Sequence, residues 1–136
     1  AFAIELPDGE VVTGKTTDLM GASSSTLLNA LKRLAGIDHE HHLISREAIG
    51  PIQAVKVNHL GSVNPRLHSD EILIALAISA TTNPLARRAL EQLSTLRGCE
   101  AHSTVILSPA DTGTYSRLGL RLTCEPQYET NKLYHK

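Results

Sequence analysis

Apolar residues alternate with other residues at the start of the chain, and this pattern predicts a β-hairpin. Phe2, Ile4 and Leu6 recur at every second position of AFAIEL, which is typical of a strand. LPDG then supplies the proline and glycine of a tight turn. The β-branched residues of EVVTGKT favour a second extended segment. We therefore predict a hairpin over residues 2–16.

Apolar residues next recur at helical spacing in four segments. STLLNALKRLAG carries leucines three and four positions apart, and SREAIGPIQAVKVNHLG has the same period until Gly50-Pro51, where we expect a break or kink. SDEILIALAISATT is almost wholly apolar after its acidic start, so we expect this helix to be buried on most sides. NPLARRALEQLSTLRG begins with Asn83 as a cap and Pro84 in the first turn.

The C-terminal part alternates strand and helix patterns. CEAHSTVILS and LRLTCEP read as strands on either side of a short helix in SPADTGTYSRLG, an order that predicts a parallel pair with a crossover helix. The predicted fold class is therefore α/β: a small mixed sheet with an N-terminal hairpin and helices packed on it. We expect a single domain over residues 1–126 and a polar C-terminal tail over residues 127–136.

Composition narrows the classes of function. The net charge is −1 and aromatic residues make up 3%, so the chain lacks the concentrated positive surface and the stacking platforms of nucleic-acid binders. No apolar run approaches the ~20 residues of a membrane span. Two cysteines 25 positions apart, outside any C-x-x-C motif, are typical of reduced thiols in a cytoplasmic protein. We predict no nucleic-acid partner, no membrane partner and a cytoplasmic location.

Residues 9–16, GEVVTGKT, match the P-loop pattern G-x-x-x-x-G-K-[ST]. A phosphate-cradling loop turns its backbone N–H groups inward on one point, whereas residues 10–13 include three β-branched residues that favour extended backbone. A P-loop also needs a helix that begins at its Lys-Ser/Thr end, and the residues that follow Thr16 are weak helix formers. We therefore predict a strand here rather than a nucleotide-binding loop.

The segment just beyond the hairpin is a better candidate binding site. GKTTDLMGASSS crosses from a strand end to a helix start, where hydroxyl groups, free N–H groups and the helix dipole favour an anion. A histidine in the later strand CEAHSTVILS is placed to line a cleft at a strand end. The predicted ligand-binding residues are Lys15, Thr16, Thr17, Gly21, Ser23, Ser24, Ser25 and His102.

Two alternatives compete with an anion site at these residues. The serines can form a cap that satisfies only its own helix. One of them can also act as a nucleophile with Lys15 as base, which requires a desolvated lysine.

A second polar cluster, DHEHH at residues 38–42, contains good metal ligands. Adjacent ligands in one loop seldom close a tetrahedral site, so we interpret the cluster as a solvated loop. We predict no metal and no cofactor.

Three long phrases resemble a bacterial family of unknown function, DUF1846, also designated UPF0371. They are ELPDGEVVTGKTTDLMGASSSTLLNALKRLAGI, LHSDEILIALAISATTNP and LRGCEAHSTVILS, and the likeness runs from Phe2 to about Tyr128. The resemblance implies that this chain is the C-terminal subdomain of a longer protein, with the N-terminal domains of that protein as its partners. It also implies a three-layer, cytidine-deaminase-like fold with helices on both faces of the sheet and inserted helices.

Some members of that family carry the tag of an ATP-dependent peptidase. Zinc deaminases need a His or Cys followed by Glu and then a P-C-x-x-C motif, and this chain has ASSS at the corresponding helix start and no C-x-x-C. Three functions stay open: binding of a small anionic ligand, a structural or homo-oligomerisation module, and a part of an ATP-dependent hydrolase. Whether the chain is an enzyme is left open with them.

Overall fold

The computed structural model describes residues 1–125. Within them, a four-stranded mixed sheet carries five α-helices, which confirms the predicted α/β class. The strands are β1 (Phe2–Glu5), β2 (Val11–Gly14), β3 (Glu100–Ser103) and β4 (Arg121–Cys124). The helices are α1 (Ala22–Leu34), α2 (Arg46–Ala54), α3 (Ser69–Ser79), α4 (Pro84–Leu90) and α5 (Pro109–Leu118), with a π-helical turn at Val55–His59 and a 3-10 turn at Leu93–Leu96. The predicted tail, 127–136, lies outside the described residues.

The sheet has the strand order β2-β1-β3-β4. The hairpin prediction is confirmed: β1 and β2 pair antiparallel with Phe2 opposite Gly14, and Gly9 closes the turn with a φ of 89°. β1 also pairs antiparallel with β3, whereas β3 and β4 run parallel with α5 between them in the chain. The predicted parallel pair with its crossover helix is therefore confirmed as well. No helix within residues 1–125 is long and apolar enough to cross a bilayer.

One face of the sheet forms the floor of the core. Phe2 and Ile4 of β1 are 2% and 0% exposed, and they share this face with buried Val12 and Ala101 of the neighbouring strands. α1 and α5 cover it, α5 through a Tyr115 ring centred 5.0 Å from that of Phe2. α3 packs on α1 and α5, and α4 packs on α1 and α3. The hydrophobic core therefore lies between the sheet and the helices.

The other face of the sheet is open, so the described part of the chain has two layers. The three-layer, cytidine-deaminase-like detail, with helices on both faces, is not confirmed. Charged and hydroxyl-bearing side chains dominate the open face, and a mixed sheet with antiparallel pairs tolerates water on such a face. Its exposed residues are Glu5, Val11, Thr13, Glu100, His102, Arg121 and Thr123.

Three helices differ from their predictions. α4 ends at Leu90, and a separate 3-10 turn forms the Leu93–Leu96 part of the predicted helix. α3 is not buried on most sides, because Ile74 and Ile78 are 60% and 62% exposed, whereas Ile72 and Leu76 face the core. α2 does not break at Gly50-Pro51; it runs through Pro51 to Ala54 and continues into the π-helical turn.

Tyr115 leads to a prediction about alkaline stability. Its side chain is fully buried, and its hydroxyl donates a 2.7 Å hydrogen bond to the Ser23 carbonyl. Burial raises the pKa of Tyr115 well above its ordinary value, and the Asp111 carboxylate adds to the rise. The pKa of tyrosine in the unfolded chain is about 10. Tyr115 therefore contributes its full stabilisation below that pH, and the contribution is lost as the pH rises from there towards the higher pKa of Tyr115 in the folded protein.

We expect the free energy of unfolding to fall above about pH 10 in the parent and to fall less steeply in Tyr115→Phe, which costs about 1 kcal/mol at neutral pH through the lost hydrogen bond. Urea unfolding across this pH range measures both quantities. Equal slopes in the two proteins would show that Tyr115 does not control the alkaline loss.

Candidate functional site

A cleft of about 540 Å³ opens between the end of β2, one side of α1 and the loop of residues 38–44, which we call the histidine loop. Ser25, Leu28, Asn29 and Lys32 contribute the α1 side, and their spacing of three and four residues places them on one helix face. The cleft size lies within the range of small-molecule sites. The hairpin, the first helix and the loop that follows it therefore share one concave surface.

A glycine brings β2 close enough to α1 to form this cleft. A Cβ atom at Gly14 would lie 2.5 Å from the backbone nitrogen of Thr26. Asn29 of the same helix donates a 2.9 Å hydrogen bond to the carbonyl of Thr13. The strand end is therefore held directly against the helix, and Lys15 leaves it at the mouth of the cleft.

The histidine loop supplies the facing wall. His39, His41 and His42 are exposed and line the cleft. The Lys32 ammonium donates a 2.7 Å hydrogen bond to the carbonyl of His39, which ties the loop to α1. The sequence predicted a solvated loop here, and the solvated residues turn towards a cleft that the sequence did not reveal.

These histidines do not converge as metal ligands. Among residues 1–125, the three ligand atoms found within 4.8 Å of one another belong to His68, Asp70 and Glu71. The Glu71 carboxylate there already accepts a 2.9 Å hydrogen bond from Lys56 Nζ. That group is the capped start of α3 joined to a buried lysine.

The ionisable side chains that line the cleft are all basic. The cleft contains Lys15, Lys32 and the three histidines, and none of its sixteen described lining residues is Asp or Glu. Burial lowers the pKa of Lys32, while the nearby Asp38 acts in the opposite direction. An anion bound beside Lys32 would favour its charged form.

Three of the predicted ligand-binding residues meet in this cleft: Lys15, Thr17 and Ser25. Thr16 is exposed beside them, and Gly21 is the N-cap of α1, with its N–H 3.4 Å from the Leu67 carbonyl.

The other three predicted residues lie elsewhere. Ser23 and Ser24 are buried, and Ser24 Oγ donates a 3.0 Å hydrogen bond to the Leu67 carbonyl. His102 lies on the open face of the sheet, where its Nδ1 is 2.7 Å from Thr123 Oγ1 and its Nε2 is 2.9 Å from Glu125 Oε2. None of the three lines the cleft. Of the three serines at the start of α1, Ser23 and Ser24 are therefore buried and Ser25 lines the cleft.

The P-loop pattern lies in extended backbone, as the sequence predicted. Residues 11–14 form β2, with Val12 opposite Ile4. α1 begins at Ala22 and not next to Thr16. The second glycine of the pattern serves the packing of β2 on α1.

Sequence reasoning missed Asn29, Lys32, His39, His41 and His42 as cleft residues. Asn29 and Lys32 follow Ser25 at helical spacing, so the helix face that starts at Ser25 would have indicated them. The histidines carried no such signal, because the course of a loop depends on contacts outside it.

A second cleft of about 580 Å³ adjoins the first, and the two share an apolar wall formed by Leu19, Met20 and Ile44. This adjoining cleft extends towards Asp18, Arg46 and Glu47. Arg46 Nη1 lies 3.6 Å from Asp18 Oδ2, and both side chains are largely exposed.

Comparison with known proteins identifies relatives over almost the whole chain. Residues 1–134 match the model of a family described as "Domain of unknown function DUF1846, C-terminal". The chain is 58% identical to a UPF0371 protein of Corynebacterium diphtheriae, over 98% of the chain and 27% of that relative. It is 54% identical to a UPF0371 protein of Streptococcus uberis, over 100% of the chain and 28% of that relative. The chain thus spans little more than a quarter of the relatives that it matches.

Proposed function

This chain belongs to the family of the C-terminal DUF1846 domain, and from that premise we propose that it binds a small anionic ligand in the cleft between β2, α1 and the histidine loop. The charge of the lining carries the proposal. Acidic and basic residues nearly balance in the whole chain, 14 against 13, whereas the described lining has lysines and histidines but no acid. Phosphate and carboxylate groups are the anions that lysine binds most often in proteins.

The cleft residues offer an anion two kinds of contact, positive charge and neutral hydrogen-bond donors. Lys15 and Lys32 supply positive charge from opposite sides, one at the strand end and the other on α1. Ser25 and Asn29 supply neutral hydrogen-bond donors, Asn29 through the amide N–H that its bond to the Thr13 carbonyl leaves over. Hydrogen bonds from charged donors are worth about 1.5–3 kcal/mol each, so the lysines dominate the affinity.

We expect the double variant Lys15→Ala, Lys32→Ala to bind inorganic phosphate at least about 30-fold more weakly than the parent, since two charge-assisted hydrogen bonds are removed. Isothermal titration calorimetry gives the dissociation constants. Arg87→Ala, Arg117→Ala is a matched control, because it removes the same net charge from exposed positions outside the cleft lining. Equal weakening in both double variants would indicate general electrostatics, and a parent that binds no anion in a panel of phosphate, sulfate, AMP and citrate would exclude the proposal.

A structural role in assembly is the second candidate, and the outer side of α3 favours it. Ile74 and Ile78 are more than half exposed and flank exposed Ala77, which gives an apolar stripe along the helix. Because the chain spans only 27–28% of its relatives, we infer that the stripe packs against the remaining part of such a longer protein. Serine at the two positions that correspond to Ile74 and Ile78 in a full-length relative should lower its thermal midpoint, whereas Ile74→Ser, Ile78→Ser should leave that of this chain unchanged. No change in the full-length protein would count against this role.

The ATP-dependent peptidase role ranks below both. The N–H groups of an extended β2 point alternately to its two sides rather than at one phosphate. Lys15 is exposed, whereas a lysine that acts as a general base must be desolvated. ATP hydrolysis that disappears in Lys15→Ala would reverse this order.

A further inference from the structure

We propose that the ligand of the cleft is a single-ended anion, a phosphate or carboxylate group joined to an apolar or aromatic body. This inference rests on the proposed function and names the chemical class of the ligand. It follows from how charge and apolar surface are distributed over the two adjoining clefts.

The first observation is the shared apolar wall. Leu19 and Met20 are half-buried and Ile44 is 7% exposed, and all three line both clefts. An inorganic ion that fills the cationic end would leave this wall in water. A ligand with an apolar body would cover it, at a gain of roughly 25 cal/mol for each Å² removed from water.

The wall is held in place before any ligand arrives. Thr17 Oγ1 accepts hydrogen bonds from the N–H groups of Leu19 and Met20, at 3.1 and 3.2 Å. Thr17 N–H donates to the Met20 carbonyl at 2.9 Å, and Met20 also forms a β-bridge with Leu67. A fixed wall binds an apolar group without the entropic cost of ordering a loop. The flexible Met20 side chain adapts to the shape of that group.

The second observation is the change of charge from one cleft to the other. The lysines and two of the histidines line only the first cleft. The adjoining cleft is lined in addition by Asp18, Arg46 and Glu47, with one more negative than positive charge. A second anionic group in that cleft would meet like charge. The arrangement therefore fits a ligand that is charged at one end and apolar at the other.

Calorimetric titration of the chain with inorganic phosphate, phenyl phosphate and 4-carboxyphenyl phosphate tests the inference. We expect phenyl phosphate to bind about tenfold more tightly than inorganic phosphate, because its ring covers the apolar wall. The added carboxylate should weaken binding several-fold relative to phenyl phosphate. Met20→Ser should reduce the advantage of phenyl phosphate over inorganic phosphate, because it removes one of the three apolar side chains of the wall.

The outcomes separate this inference from the proposed function. Equal affinity for inorganic and phenyl phosphate overturns the apolar body and leaves anion binding intact, whereas no binding of any of the three compounds overturns both. Tighter binding of the carboxylated compound overturns the single-ended charge. A parallel loss of both affinities in Met20→Ser also contradicts the inference, since it would mark Met20 as structural. Thermal unfolding is measured first, and Met20→Gln, which keeps the side-chain length, replaces the serine variant if that variant is unfolded.

Discussion

Asp111→Ala is expected to lower the free energy of unfolding by about 3 kcal/mol, the largest single effect that we predict for this chain. Asp111 is buried in the first turn of α5, and its Oδ1 accepts hydrogen bonds from Ser69 N at 2.9 Å and Ser69 Oγ at 2.6 Å. Ser69, the first residue of α3, has no exposed surface. Truncating the carboxylate would leave the N–H and hydroxyl of Ser69 without an acceptor. It would also remove a negative charge from the N-terminal ends of α3 and α5.

Two further variants define the origin of that loss. Asp111→Asn keeps one acceptor oxygen, so we expect a smaller cost of about 1–2 kcal/mol. Asp70→Ala is the matched control, since Asp70 also lies in the first turn of α3 but is exposed, and it should cost less than about 1 kcal/mol. Urea unfolding of the three variants gives these values. Similar losses in Asp111→Ala and Asp70→Ala would contradict the role assigned to the buried carboxylate.

Gly14→Ala is expected to lower the free energy of unfolding by about 2–3 kcal/mol, as overpacking at a rigid contact does. The added Cβ would lie 2.5 Å from Thr26 N and 2.8 Å from the carbonyl carbon of Ser25, and both atoms belong to helix backbone. β2 would have to move away from α1, which would also widen the cleft.

Gly50→Ala serves as the control for this change. Gly50 lies inside α2, and a Cβ added there would meet no atom within 4 Å beyond its chain neighbours and its own helix. The gain in helix propensity is opposed by crowding against the ring of Pro51, so alanine should change the free energy of unfolding by less than about 1 kcal/mol. Thermal and urea unfolding measure both variants. A Gly14→Ala protein as stable as the parent would show that this glycine, which also completes the P-loop pattern, is not required for packing.

Local signals in the sequence predicted much of the fold. The hairpin follows from the alternation of Phe2 and Ile4 and from the turn that Gly9 closes. Asn83 caps α4 through its own side chain, as its position before Pro84 indicated, and Ser108 caps α5 in the same way before Pro109. Each of these features depends on residues a few positions apart, which is the range over which turn and capping preferences act.

Features set by distant contacts could not be predicted. Ser24 is buried, and its hydroxyl donates a hydrogen bond to the Leu67 carbonyl, which is 43 residues away in the chain. The outer side of α3 is as apolar as its inner side, so the pattern did not show that Ile78 would face outward. Three of the eight predicted ligand-binding residues, Lys15, Thr17 and Ser25, line the cleft, because they lie close in sequence to the strand end or to the start of α1.

Backbone amide shifts during an NMR titration with inorganic phosphate test the central claim most directly, namely that the cleft binds anions and the extended residues 10–12 do not wrap a phosphate. We predict saturable shifts concentrated at Lys15, Thr17, Ser25, Asn29 and Lys32, with little change at His102 on the open face of the sheet. Either no saturable shift anywhere, or the largest shifts within residues 10–12, would contradict the claim.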